Sequence, residues 1–207
     1  MQDERVISTP LIAWGVASRP LPGEIVCGDL HLIKPMTEGV LAAVVDGLGH
    51  GDEATAAAKT AIGVLETHAE EPLNALVKRC HEALTKTRGA VMTVAALIEG
   101  QLTWLGVGNV EAILLRADRQ VESPSDRVLL HGGLMGYRLP VLRASKLPLA
   151  ADDLLIFATD GIDAAFADGL VCSDSPQQLA DSILERHFKA RDDALVLVVR
   201  YLGTRHE

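Results

Sequence analysis

The chain has 207 residues, of which 48% are hydrophobic, and its formal net charge is −9. A chain of this length and composition can bury a hydrophobic core without disulfide support, and we expect a single domain that spans residues 1–207. The acidic balance, without any cluster of lysine and arginine, argues against nucleic acid and against an anionic membrane surface as partners.

The first elements along the chain are predicted to be two strands and two helices. Apolar runs predict strands over 25–33, with a break or bulge near Gly28, and over 40–45. Asp52 and Glu53 then stand where a helix N-terminus favours negative charge, and a second helix is predicted from about Pro72. The residues at helical spacing that we expect to face the core are Ala54, Ala57, Ala58, Ala61, Ile62 and Leu65, followed by Leu73, Leu76, Val77, Cys80 and Leu84.

The next part of the chain is predicted to be β-strand. Short apolar runs bounded by glycine, aspartate or proline are typical of strands, and Glu99-Gly100 between two of them predicts a hairpin turn. The predicted strands cover 91–98, 102–107, 112–116, 153–158 and 194–199.

A third helix is predicted before the last strand. Ser175, Pro176 and Gln178 have the spacing of an N-cap, a first-turn proline and a capping-box residue. Its predicted core-facing residues are Leu179, Ile183 and Leu184. Because strands and helices do not alternate strictly, the order predicts an α+β fold, in which antiparallel sheets carry helices on their outer faces.

Aspartates occur at four strand ends, usually beside a glycine. They are Asp29, Asp46, Asp160 and the pair Asp192-Asp193. A lone Asp-Gly after a strand is usually a turn, but the repeated placement indicates shared chemistry. Carboxylates that gather without lysine or arginine partners repel one another, so hard divalent cations are their natural neutralising ligands.

The order of four motifs, GD, VVDGLGHG, FATDG and DDALVLVV, resembles that of the PP2C superfamily of metal-dependent serine/threonine phosphatases, and is most similar to its SpoIIE-like branch. The resemblance implies a four-layer α/β/β/α sandwich built on two packed antiparallel sheets. It also implies hydrolysis of phosphoserine and phosphothreonine in proteins by a water that two ions, Mn²⁺ or Mg²⁺, activate.

A catalytic domain of this size, without sensor modules, looks like the RsbX-type phosphatases that reset the stressosome in a bacterial stress-signalling pathway. This likeness implies that the partners are phosphorylated STAS-domain proteins. The three cysteines, Cys27, Cys80 and Cys172, are an odd number without metal-ligand spacing, and residues 1–4 lack the basic start of a secretory signal. Reduced thiols and the absence of such a signal predict a cytoplasmic protein.

The resemblance assigns metal ligands residue by residue. Asp46 is expected to bridge both ions, and the carbonyl of Gly47 to bind the second one. Asp160 and Asp192 are expected to complete the first ion's site. Asp193 is the less favoured member of its pair, because the family's ligand is the first residue of that motif.

Three residues are expected to act in catalysis. Asp29 would orient a water on the second ion, and Asp46 would hold both ions. His50, four residues after Asp46, is a candidate general acid, although it could instead only shape the loop at the start of a helix.

The sequence also departs from the family pattern. Leu48 stands where many relatives have a histidine, and Asn109 stands where an aspartate for a third ion is expected. Gly23 and Glu24 stand where eukaryotic relatives have a phosphate-binding arginine before the first aspartate. These departures imply a two-ion site in a slow enzyme whose specificity comes from its partner surface.

Two alternatives remain open at this point. The first is a catalytically weak or inactive PP2C-like protein that binds a partner through the same fold. The second is a phosphohydrolase with a nucleophilic aspartate, which needs an Asp-x-Asp motif that neither Asp46 nor Asp160 has. Trp14 and Trp104 are expected to be core residues, and His131 a loop residue bonded to backbone.

Overall fold

The computed structural model describes residues 11–118, 123–168, 170 and 173–203. The predictions made from residues 1–4 and from Cys172 lie outside the described residues. Cys27 is half-buried, Cys80 is buried, and both are free thiols. None of the helices in the described ranges is both long enough and apolar enough to cross a membrane.

Strands dominate the fold, and helices occur in two places along the chain. The described residues form helices α1 Gly51–Thr67, α2 Leu73–Ala83 and α3 Pro176–His187, with a 3-10 turn at Leu84–Lys86. They form strands β1 Ile12–Arg19, β2 Asp29–Met36, β3 Gly39–Gly47, β4 Ala90–Ile98, β5 Gln101–Val107, β6 Glu111–Leu115, β7 Ser125–Arg127, β8 Leu130–His131, β9 Ser145–Pro148, β10 Leu154–Ala158 and β11 Ala194–Tyr201.

The strands form two sheets. The first has the order β1-β11-β10-β6-β7, and the second has the order β2-β3-β4-β5-β8, with β9 also pairing with β5. The pairings are antiparallel except between β5 and β8, which run parallel over two residues. The predicted antiparallel sheets are therefore confirmed, with this one short exception.

Strand β3 shows how the four layers arise. Leu41, Ala43 and Val45 pack with the buried faces of α1 and α2. The alternate residues Val40, Ala42 and Val44 pack instead against residues of the other sheet, because successive side chains point to opposite faces of a strand. On the far side, α3 covers the outer face of the first sheet. The α/β/β/α sandwich of the α+β class is confirmed.

The predicted helices are confirmed, together with most of their buried residues. Helix α3 begins with the predicted capping box, in which Ser175 and Gln178 each satisfy a backbone N–H of the other. The predicted turn between β4 and β5 places Glu99 at φ 47 and Gly100 at φ 73. Positive φ at both central residues is the geometry of a type I′ hairpin.

Two predictions about the early part of the chain are wrong. The predicted break near Gly28 is present, but residues 25–28 are not strand and β2 begins only at Asp29, because the backbone N–H of Gly28 donates to the carboxylate of Asp193 and not to a neighbouring strand. Trp14, expected in the core, is 46% exposed and contacts His31 with ring centroids 5.6 Å apart and ring planes tilted by 48°. It lies on the edge strand β1, which the sequence did not predict, whereas Trp104 is buried as expected.

Candidate active site

Asp29 and Asp46 lie opposite each other at one end of the second sheet. They are register partners in the antiparallel pair β2–β3, so their side chains project from the same face of the sheet. By alternation from Val44, that face is the one that packs against the first sheet. Both carboxylates therefore enter the space between the sheets, where the sandwich opens. Asp29 is buried and Asp46 is half-buried.

Asp160 and Asp192 approach the same opening from the first sheet. Asp160 lies two residues after β10, and Asp192 lies two residues before β11, the strand paired with β10. The backbone N–H of Thr159 donates to the Leu195 carbonyl at 3.1 Å, which continues the pairing beyond the end of β10. The topology thus brings both aspartates to neighbouring strand ends.

Asp193 has a different role from its neighbour. Its Oδ2 accepts the N–H of Gly28 at 2.7 Å, and its Oδ1 accepts the N–H of Leu21 at 2.7 Å. The side chain is buried, and both of its oxygens are occupied by backbone donors. The side chain of Asp192 is only half-buried, and its Oδ1 accepts the N–H of Asp193 at 2.9 Å. Asp192 thus has the more available carboxylate, in agreement with the expected order of preference.

Glycine is required at two of the strand ends because backbone passes close to it. A Cβ at Gly47 would lie 2.0 Å from the carbonyl oxygen of Ala54 in α1, and a Cβ at Gly161 would lie 2.0 Å from the Asp193 carbonyl oxygen. Both distances are far inside van der Waals contact. These glycines therefore allow α1 and β11 to pack against the strand ends that carry Asp46 and Asp160.

The carboxylates strongly disfavour one another's charge. Burial, together with the negative charges of Asp29, Asp160, Asp192 and Asp193, raises the pKa of Asp46 to about 9. Burial is also the largest cause that raises the pKa of Asp29 to about 7, and the nearby aspartates add to it, against a lowering hydrogen bond from Thr159. The cluster thus holds more negative charge than its surroundings balance.

This imbalance fits cation binding. The buried Asp29 Oδ2 has no hydrogen-bond partner among the described residues, although a buried carboxylate oxygen normally has one. Carboxylate and carbonyl oxygens are the donors that Mg²⁺ and Mn²⁺ prefer. Across the described ranges, no three acidic, histidine or cysteine side chains converge closely enough to hold an ion. Each ion would therefore directly take only one or two of these carboxylates and fill its other positions with carbonyl oxygens and water.

Asp160 has two further neighbours that the sequence did not identify as partners. The side-chain amide of Asn109 donates to Asp160 Oδ2 at 2.7 Å, and Lys189 Nζ donates to the Asp160 carbonyl oxygen at 2.7 Å. Burial and Asp192 raise the pKa of Asp160, while Lys189 and Asn109 lower it. Lys189 could not be found by motif, because it reaches Asp160 through the fold, 29 residues along the chain.

His50 is placed differently from the other predicted catalytic residues. It is the N-cap residue of α1, and its side chain caps no backbone N–H. Its Nδ1 lies 2.7 Å from Glu24 Oε1 at the protein surface. Glu24 itself lies against the first residue of α1, 3.1 Å from the position of a Cβ on Gly51. The contact between His50 and Glu24 thus joins the loop before α1 to the loop before β2. This contact agrees with the alternative in which His50 only shapes the loop at the start of α1.

The aspartates lie away from a large cavity of the surface. That cavity, of about 620 Å³, lies at the other end of β3, beside Thr37, Glu70 and Lys146. A smaller hollow of about 170 Å³ lies beside Asp160 and is also lined by Asn109 and Lys189.

Comparison with known proteins identifies the family. The sequence pattern of Stage II sporulation protein E (SpoIIE) matches residues 37–202. Phosphoserine phosphatase RsbX of Bacillus subtilis (strain 168) is 26% identical over 187 residues, which are 87% of this chain and 90% of RsbX.

Solved structures give the same result for the fold. One of them is 30% identical to this chain, with a TM-score of 0.82, and the match covers 91% of this chain and 99% of the other. It comes from work on the bacterial stressosome as a modular system adapted to control secondary messenger signalling. A crystal structure of RsbX in complex with magnesium is 22% identical with a TM-score of 0.79, covering 91% of this chain and 94% of the other. PP2C phosphatase domains are among the further matches.

These similarities confirm the resemblance predicted from the four ordered motifs. They confirm the PP2C-like fold and the assignment to the SpoIIE-like branch, and RsbX, which matches along most of the chain, is itself a phosphoserine phosphatase. The roles of the predicted ligands and catalytic residues rest on the geometry described above.

Proposed function

The chain belongs to the SpoIIE family, and from this premise we propose that it is a metal-dependent phosphatase that removes phosphate from phosphoserine and phosphothreonine in proteins. The observation that carries the proposal is that Asp29, Asp46, Asp160 and Asp192 approach one opening from both sheets, where burial and their mutual repulsion raise the pKa of Asp46. Such a cluster is costly for a fold that only binds a partner, because it destabilises the protein unless cations are bound.

We assign the ligands as the sequence predicted them. Asp46 lies centrally, since its charge interacts with aspartates from both sheets, and we assign it to both ions. The Gly47 carbonyl and Asp29 serve the second ion, while Asp160 and Asp192 serve the first. Two bound cations, Mn²⁺ or Mg²⁺, supply a water of lowered pKa and screen the charge of the phosphate oxygens.

The chain's own residues position the aspartates and can transfer a proton. Asp193 keeps the loop before Asp29 against β11 through its two backbone hydrogen bonds, and so fixes the position of Asp29. Asn109 and Lys189 orient Asp160 by bonding its side chain and its carbonyl oxygen. His50 stays a candidate for delivering a proton to the leaving serine or threonine oxygen, provided that it turns away from Glu24.

The partners that we propose are phosphorylated STAS-domain proteins of a stressosome. The similarity to RsbX and to a structure from the stressosome supports this choice. We also infer that the whole chain acts as one catalytic domain and works in the cytoplasm, where the free thiols of Cys27 and Cys80 stay reduced.

One assay tests the proposed activity. Release of phosphate from p-nitrophenyl phosphate and from a phosphoserine protein is measured with Mn²⁺, with Mg²⁺ and with EDTA, for the native protein and for Asp46→Ala and Asp160→Ala. We expect activity that depends on the cation and that both substitutions abolish. Activity that persists in EDTA would contradict the two-ion proposal, and no activity with any cation or substrate would favour the partner-binding alternative.

A further inference from the structure

Arg88 lies beside the glycine-rich loop, residues 47–51, that follows Asp46. Strand register pairs Gly47 with Ala90, so Arg88 stands just before the start of β4, at the sheet end that carries Asp46. The N–H of Leu48 donates to the Gly89 carbonyl at 3.0 Å, which fixes the backbone next to Arg88 against the loop. The side chain of Arg88 therefore starts from a fixed point at the sheet end that carries Asp46.

The guanidinium of Arg88 lies over this loop. Its Nη1 is 3.0 Å from the point where a Cβ of Gly49 would stand, so a side chain at position 49 would crowd it. Its Nη2 pairs with the carboxylate of Glu53 in the first turn of α1. Arg88 is 51% exposed in this arrangement. Because a guanidinium has five N–H donors, the pairing with Glu53 leaves donors that can face a ligand.

The third observation concerns the charges at this end of the protein. The aspartate cluster of Asp29, Asp46 and Asp192 is acidic, and Lys189 is already bonded to the Asp160 carbonyl oxygen. A phosphate monoester brings further negative charge and accepts two parallel N–H bonds from an arginine. A half-exposed guanidinium over the loop that follows Asp46 can supply these bonds.

We propose that Arg88 binds phosphate oxygens of the substrate, and that Glu53 acts as a positioning residue that orients the guanidinium. The inference rests on the proposed phosphatase function, which it deepens by naming a substrate-binding residue. Arg88 also places a cationic group from another part of the fold at the sheet end that carries Asp46. The competing explanation is a surface ion pair that only ties β4 to α1.

The test compares Arg88→Ala and Arg88→Lys with a matched control, Arg79→Ala. Arg79 is also about half-exposed, at 49%, and is paired with a glutamate, Glu71, at 2.7 Å. Arg79 lies far from the aspartates. Glu70, next to its partner Glu71, bonds to Thr37 in the turn between β2 and β3, and this turn is at the opposite end of these strands from Asp29 and Asp46. The measurements are the inhibition constant of inorganic phosphate, KM for a phosphoserine protein, kcat and the melting temperature.

We expect Arg88→Ala to weaken inhibition by phosphate and to raise KM about tenfold or more, with an unchanged melting temperature. Arg88→Lys should lie between the native protein and the alanine variant, because an ammonium cannot make the two parallel bonds. Glu53→Gln should raise KM only a few-fold. If Arg88→Ala and Arg79→Ala give the same phosphate inhibition constant and the same KM, the proposal is overturned.

Calorimetric titration of inorganic phosphate into the Mg²⁺-saturated protein separates this proposal from the proposed function. If the native protein hydrolyses nothing but binds phosphate, and Arg88→Ala does not bind it, the phosphatase function fails and the role of Arg88 stands. If the native protein is an active phosphatase and Arg88→Ala binds phosphate equally well, only the role of Arg88 fails. If the native protein neither hydrolyses phosphate esters nor binds phosphate, both fail.

Discussion

The carboxylate of Asp193 accepts the backbone N–H of Gly28 over 2.7 Å, and this bond joins the two sheets beside the aspartate cluster. Gly28 directly precedes Asp29, so the bond determines where β2 begins. A second bond from the Leu21 N–H occupies the other oxygen. Two adjacent aspartates in one motif thus have separate tasks, because Asp193 holds the fold and Asp192 is left to face the cluster.

We predict that Asp193→Asn destabilises the protein by about 2 kcal/mol, because an amide presents an N–H to one of the two backbone donors and leaves it unsatisfied. Asp192→Asn is the matched control, since it changes the same chemical group one residue away. It should not lower the unfolding free energy, because an asparagine oxygen can still accept the Asp193 N–H and a repelling charge is removed, but it should weaken cation binding. Urea denaturation in EDTA measures the first effect, and Mn²⁺ titration the second. Equal losses of stability in both variants would refute this division.

The close passage of α1 over Gly47 gives a second prediction. Gly47→Ala should destabilise the protein by about 1–3 kcal/mol, since its Cβ would meet the Ala54 carbonyl oxygen at 2.0 Å and push α1 away. Gly63, which lies within α1, has no atom within 4 Å of the position that a Cβ would take. Gly63→Ala should therefore stabilise the helix by about 0.5–1 kcal/mol. Thermal unfolding of both variants checks this, and a tolerated alanine at 47 would show that the close approach is not maintained.

Stability of the cation-free protein should fall as pH rises. The pKa of Asp29 is raised to about 7 and that of Asp46 to about 9, both from 3.8. A raised folded-state pKa means that the folded state binds protons more tightly, so its contribution to stability is complete below the unfolded pKa and is lost as pH passes the folded pKa. The unfolding free energy in EDTA should therefore be lower at about pH 8.5 than at about pH 5.5.

Asp46→Asn provides the control for this pH dependence. An amide carries no charge, so the variant should show a flatter stability profile in EDTA and should be more stable than the native protein at the higher pH. Saturating Mg²⁺ should restore the native protein at that pH, because a ligand that binds only the folded state stabilises it. If the unfolding free energy of the native protein in EDTA rises with pH, the repulsion described for the cluster is contradicted.

The sequence could predict the parts of this fold that depend on local pattern. The helical spacing of Ala54, Ala57 and Ala61 predicts α1 directly, and the short apolar runs of β3 and β11 predict these two strands. Strand β1 was missed because it lies at a sheet edge, where Trp14 is exposed and Gly15 interrupts the apolar pattern. An edge strand has only one paired neighbour and leaves a weaker pattern in the sequence.

For the site, motif order identified the aspartates but not the residues that support them. The tie from Asp193 to Gly28 spans 165 residues, and the bond from Asn109 to Asp160 spans 51 residues. Arg88 likewise reaches the loop after Asp46 only because β3 and β4 are paired. Such contacts depend on tertiary packing, and no local pattern in the sequence records them. The His50–Glu24 contact was missed for the same reason.

The central claim is that the aspartates from both sheets hold two divalent cations. Calorimetric titration of Mn²⁺ into the cation-free protein near pH 7.5, beside Asp46→Asn and Asp160→Asn, tests it most directly. We predict that each native chain binds two ions. Asp46→Asn should bind ions weakly at most, because it loses the ligand that both ions share. Asp160→Asn should bind one ion. Absence of binding to the native protein, or two ions bound unchanged by Asp46→Asn, would contradict the claim.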